Sequence, residues 1–154
     1  MSPQVWIAVI VGLAASVEDV ARRRISNWIP AGALAAGLAL HTVQDGWRGA
    51  LASLAGAAAG FAVFLIFYLL GGMGGGDVKL MAGFGAVLGA GRLLEAALWT
   101  AAVGGLAAAA VVAWGAARKR LRGGGQAGAG PRAESIPYAP AITAGAWLAL
   151  IPKG

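Results

Sequence analysis

Charge is nearly absent from long stretches of this chain and is gathered into short words between apolar runs. Of 154 residues, 59% are hydrophobic and 12% are charged, against roughly 25% charged in a soluble domain. Ala and Gly dominate the apolar runs. The pattern reads as an all-α, polytopic membrane helical bundle, and the length allows a single domain over 1–154.

Composition removes several chemistries. The chain has no cysteine, which excludes disulfides, Cys-ligated zinc and thiol catalysis. His41 alone cannot build a His-based metal site, so neither a metal nor a cofactor is expected. The net charge of +6 invites a nucleic-acid reading, but the basic residues cluster beside apolar segments, where they serve orientation in a bilayer. Membrane lipid is therefore the expected partner, and nucleic acid is not. Met1-Ser2-Pro3-Gln4 lacks a basic n-region, and the first apolar stretch runs into Glu18-Asp19. That stretch is expected to be a retained helix and not a cleaved signal peptide.

Hydropathy marks six candidate spans, 3–18, 28–43, 50–70, 78–91, 93–117 and 137–152. The third and fifth are long enough to cross a hydrocarbon core of about 30 Å, and the second, fourth and sixth are short. Nine of the basic residues, among them Arg22, Arg23, Arg24, Lys79 and the Arg118–Arg122 group, fall in loops after odd-numbered spans. Three (Arg48, Arg92 and Lys153) fall on the other side. The positive-inside rule then places the odd loops in the cytoplasm and the N-terminus outside. Trp28 and Trp114 fall near the inner interface, Trp6 and Trp47 near the outer one. Gly56-x-x-x-Gly60 and Gly85-x-x-x-Gly89 would allow close helix approach. A Gly-rich connector, about 118–135, is expected to be a flexible cytoplasmic loop.

Two polar words then stand out on the expected cytoplasmic side. One begins at Asp19 and runs through Arg22-Arg23-Arg24-Ile25-Ser26-Asn27; the other is Gly74-Gly75-Gly76-Asp77-Val78-Lys79-Leu80. Carboxylates at a membrane edge are costly and are functional candidates by default. Of the six acidic residues, Asp45 and Glu95 fall at the outer side, Glu134 lies in the flexible loop, and Glu18 neighbours Asp19. Asp19 and Asp77 make the best pair. Each has a plainer reading, Asp77 as a helix N-cap and Asp19 as a partner of Arg22 or Arg23. The six residues Gly71-Gly72-Met73-Gly74-Gly75-Gly76 hold more glycine than a cap requires, and glycine lets another backbone come close.

Gly74-Gly75-Gly76-Asp77-Val78-Lys79-Leu80 resembles the GxGD-V-K-L signature of type IV prepilin peptidases. The Asp19 word resembles the family's first motif, an aspartate followed six residues later by Ile-Pro-Asn; Ile25 and Asn27 match, and Ser26 stands where the family has proline. Ile136-Pro137-Tyr138-Ala139-Pro140-Ala141 is similar to the family's I-P-[F/Y]-x-P-A word at the last helix. The resemblance covers nearly the whole chain. It implies a membrane aspartyl endopeptidase of the plasma (inner) membrane, its site facing the cytoplasm. The substrates implied are prepilins or pseudopilins, cut to remove a short basic leader. The chain resembles the short form without a Cys-containing N-terminal region, for which peptidase activity alone is expected.

On this reading Asp19 and Asp77 are the catalytic dyad, one carboxylate ionised and the other holding a proton. Gly74, Gly75 and Gly76 give backbone room for substrate, and Glu18 and Glu134 are candidate contacts for the basic leader. Lys79 orients a carboxylate or meets lipid phosphate, and the arginine triplet anchors to anionic lipid. Competing readings are an archaeal preflagellin-type or other GxGD peptidase, a non-catalytic membrane subunit or small cation transporter, and an inactive relative.

Overall fold

The computed structural model describes residues 2–22, 24–70, 73–104 and 139–150. Among these every regular element is helical: α1 Pro3–Arg22, α2 Trp28–Leu69, α3 Gly75–Leu88, α4 over 90–104 and α5 Ala139–Ala149. The connector at 118–135, Trp114 and Glu134 lie outside the described residues.

Helix α1 ends later than its hydropathy suggests. The apolar run stops at Glu18, but helical backbone continues through Glu18-Asp19-Val20-Ala21 to Arg22. Nothing in those residues breaks a helix, and Arg22 in the last turn suits the negative end of the dipole. Asp19 therefore sits on a helix and not in a loop.

Helix α2 has 42 residues, which straight would measure about 63 Å, twice a hydrocarbon core. It does not run straight. Asp45 (φ −129°, ψ 15°) and Gly46 (φ 60°, ψ −141°) leave helical geometry, and glycine takes the positive φ without a Cβ clash. The two arms then run in opposite directions along α3. Gly83 lies against Pro30 and Ala33, and Gly37 against Ala86 and Val87, on the first arm; Gly56 lies against Gly85, and Gly60 against Met81, on the second. The break falls within the 44–49 gap between the second and third apolar spans.

Gly56 and Gly85 face each other reciprocally: a Cβ on either would strike the other's carbonyl oxygen. The two small-residue motifs thus serve one contact within the chain. The absence of side chains brings the backbones of α2 and α3 together, as in membrane bundles generally. Ser53, fully buried at the same contact, donates its hydroxyl to the Ala86 carbonyl at 2.9 Å. Gly89 (φ 72°) caps α3 just after Leu88, taking the positive φ without a Cβ clash.

Helix α5 runs antiparallel to α1. Trp147 Nε1 donates to the Ala8 carbonyl (2.9 Å), Thr143 Oγ1 to the Gly12 carbonyl (3.2 Å) and Ser16 Oγ to Thr143 Oγ1 (3.1 Å). At the end of the bundle holding the Asp45-Gly46 bend, Gln4 Nε2 donates to the Val87 carbonyl at 3.1 Å, and His41 Nε2 lies 3.0 Å from the same oxygen. The opposite end gathers the end of α1, both ends of α2 and the starts of α3 and α5.

Two helices, α1 and α2, are long and apolar enough to cross a membrane. Only 22% and 28% of their most apolar windows are buried within the protein, so their apolar surface faces outward, unlike the core helix of a soluble domain. Trp28 at one end of the bundle, and Trp6 and Trp47 at the other, are exposed, a distribution suited to two interfaces.

Candidate active site

Asp19 and Asp77 converge at the end where α1 finishes and α3 begins. They are only 8% and 7% exposed, and both line one open cleft of about 320 Å³. Arg24, Ile25 and Asn27 form one wall; Gly74, Gly75, Gly76 and Lys79 complete it.

Asp77 occupies the first turn of α3, three residues after the N-cap, which is Gly74 (φ −82°, ψ 154°). The plainer expectation of Asp77 as the cap itself is thus off by three positions. Its Oδ2 accepts the Gly74 N–H at 3.1 Å, one of the free amide donors of a helix start. Burial pushes the Asp77 carboxyl up from the ordinary 3.8 to about 6; the Gly74 amide opposes the rise and the nearby charge of Asp19 adds to it.

Asp19 is held differently. Its Oδ2 accepts the backbone N–H of Ala139, the first residue of α5, at 3.1 Å, so a helix N-terminus points at this carboxylate. Arg22 does not pair with it. Arg22 lies 3.8 Å from Glu18, one turn back.

Glu18 is engaged within the chain. Its Oε2 accepts the Ser26 N–H at 2.8 Å and its Oε1 accepts the Ser26 hydroxyl at 2.6 Å. It ties the α1–α2 connection back onto α1. Lys79 makes a second tie, donating to Asn27 Oδ1 at 3.0 Å, a partner that neither sequence-based expectation for Lys79 named. Residues 24–27, one wall of the cleft, are therefore pinned from α1 and from α3.

The three glycines use closeness and not unusual backbone. None of them has positive φ. A Cβ on Gly76 would press on Ile25 (3.3 Å), and one on Gly74 would meet Asp77 Oδ2 at 3.4 Å. The Gly75 Cα faces the Tyr68 ring, 3.7 Å from where a Cβ would lie.

The sequence did not single out the Ala139 amide, Ser26 as a partner of Glu18, or Tyr68 beside Gly75. The Ile136–Ala141 word carried a signal for the first, since it marks where α5 begins. No pattern announces the other two. Among the described residues no group of three or more potential metal ligands comes together.

The model of the type IV leader peptidase family matches residues 6–125. A relative from Bacillus subtilis (strain 168), a prepilin leader peptidase/N-methyltransferase, is 38% identical over 109 residues, 70% of this chain. The match spans 38% of that relative's length. No solved structure matches the chain.

Proposed function

Because the chain belongs to the type IV leader peptidase family, we propose that it is a multi-pass plasma-membrane aspartyl endopeptidase that removes the short basic leader of type IV prepilins or pseudopilins at the cytoplasmic face. The observation that carries this reading is the convergence of Asp19 and Asp77, from two helices, on one cleft.

The chemistry follows from the unequal surroundings of the two carboxyls. Two carboxylates in one poorly solvated site do not both ionise easily, and the pair shares a proton. Asp77, raised by burial, is the proton holder. With Oδ2 occupied by Gly74, its other oxygen carries that proton and faces the scissile carbonyl. Asp19, oriented by the Ala139 amide, takes a proton from water as the water attacks the carbonyl carbon. Asp77 protonates the carbonyl oxygen, and the roles reverse as the amine departs. Macroscopic titration belongs to the pair.

Gly74, Gly75 and Gly76 form the floor on which an extended peptide backbone lies. Glu134 is retained as a contact for the basic leader. Glu18 is retained beside it, its carboxylate placed by the tie to Ser26. Reconstitution in vesicles with a leader-bearing prepilin, beside Asp19→Asn and Asp77→Asn, tests the reading. The native protein should shorten the substrate, and both variants should accumulate in the membrane without cleaving. A normally active Asp77→Asn protein would sink the mechanism.

A further inference from the structure

Beside the catalytic cleft lies a second, mostly apolar groove of about 420 Å³, walled by Phe61, Leu65 and Tyr68 of α2 and by Val78 of α3. The two cavities share Gly75, Gly76 and Lys79, so they are continuous across the glycine floor. Phe61, Leu65 and Tyr68 are spaced by four and three residues and form one stripe on the second arm of α2. The stripe rises about 10 Å along the helix, from Tyr68 beside Gly75 at the cleft toward the middle of the bundle. Phe61 and Tyr68 are 43% and 46% exposed, and the Tyr68 hydroxyl has no hydrogen-bond partner among the described residues.

We propose that this groove seats the apolar segment immediately following the scissile bond of the substrate, with that segment lying alongside the second arm of α2 and the leader crossing the carboxylate cleft. The proposal rests on the peptidase reading and adds the direction in which the substrate lies. Three features assign this occupant. The groove opens into the cleft, so one chain can occupy both. Its walls are apolar, whereas the cleft beyond the glycines carries Asp19, Asp77, Arg24 and Asn27, so a short basic leader suits the cleft and the groove is left to an apolar segment on the other side of the cut. The glycine floor has no side chain to block passage from one to the other. Tyr68 stands at the junction, where its hydroxyl meets the peptide backbone next to the cut.

The test uses the full chain in vesicles with a leader-bearing prepilin. Its arms compare native protein with Phe61→Ala/Leu65→Ala, on native substrate and on substrate whose first apolar residues after the cut are alanine. The double variant should raise KM on native substrate about tenfold, equivalent to about 1.4 kcal/mol, with kcat nearly unchanged. On the alanine substrate it should make little further difference. Equal effects on both substrates, or no change in KM, would overturn the proposal. As a second measurement, a photocrosslinker at position 65 in the Asp77→Asn background, which retains uncleaved substrate, should capture the substrate's apolar residues. Capture of lipid alone, or of another part of this chain, under saturating substrate would overturn it. Native protein that cleaves no prepilin would remove the peptidase reading itself, an outcome distinct from groove variants that cleave with unchanged KM.

Discussion

The Asp19 carboxylate, on the last turn of α1, accepts a hydrogen bond from the Ala139 amide at the first residue of α5, 3.1 Å away. One end of the chain thus orients a carboxylate contributed by the other. The bond also completes the hydrogen bonding of a buried amide, since Ala139 is fully buried. Asp19→Asn keeps a carbonyl acceptor and Asp19→Ala does not. Both should be inactive, but the alanine variant should be the less stable by about 1–3 kcal/mol, the cost of an unpaired buried donor. Thermal unfolding in detergent of the two inactive proteins measures the difference, and equal melting temperatures would deny the bond its role.

Asp77 makes stability depend on pH with a definite sign. Its carboxyl titrates near 6 in the folded protein and near 3.8 otherwise, so the native state binds more protons between those values. Stability therefore falls as pH rises from about 4 to about 6 and stays lowered above. Asp77→Asn, which cannot ionise and can still accept from Gly74, should gain on the native protein across that window. The gain should be on the order of 3 kcal/mol at neutral pH and vanish near pH 4. Melting temperatures of both proteins from pH 4 to 8 follow it; parallel curves would show that Asp77 is not raised.

Cleavage should follow the same titration. If Asp77 supplies the proton, kcat declines as pH rises through about 6, because the acid form is lost. A kcat profile in vesicles at fixed substrate saturation reads this directly, and a rate still climbing well above that pH would transfer the acid role elsewhere.

Gly56 and Gly85 predict a sharp positional contrast. Alanine at either position drives a Cβ into the opposite carbonyl, and the backbones must separate; a loss of about 1–3 kcal/mol is expected. Gly32, on the same helix α2, has open space around it. Gly32→Ala should be neutral or stabilising by about 0.5–1 kcal/mol through helix propensity. Unfolding of the three variants side by side checks both directions.

The tie between Glu18 and Ser26 predicts coupling. Glu18→Ala and Ser26→Ala should each lower cleavage several-fold by loosening the cleft wall at residues 24–27. Once one partner is gone, removing the other should cost little. A double-mutant cycle on kcat/KM measures this. Strictly additive losses would mean the two residues act separately.

Sequence by itself determined the helical, apolar character of the molecule, because long uncharged Ala/Gly runs leave few other ways to satisfy a backbone away from water. It also singled out Asp19 and Asp77, because isolated carboxylates beside glycine-rich and arginine-rich words are rare in such a chain, and it located the reversal near Asp45. It did not determine where helices stop. Hydropathy registers transfer from water, whereas a helix ends where backbone hydrogen bonding ends, which is why α1 continues past Glu18 and α3 ends at Gly89. Only the tertiary structure decided what the polar atoms do: that Glu18 holds Ser26, Lys79 holds Asn27 and the Ala139 amide holds Asp19. Two of these pairs join residues far apart in the chain, and all three depend on the relative placement of packed segments. That placement is set by glycine contacts such as Gly56 with Gly85, and no local pattern encodes which backbone will lie opposite a glycine.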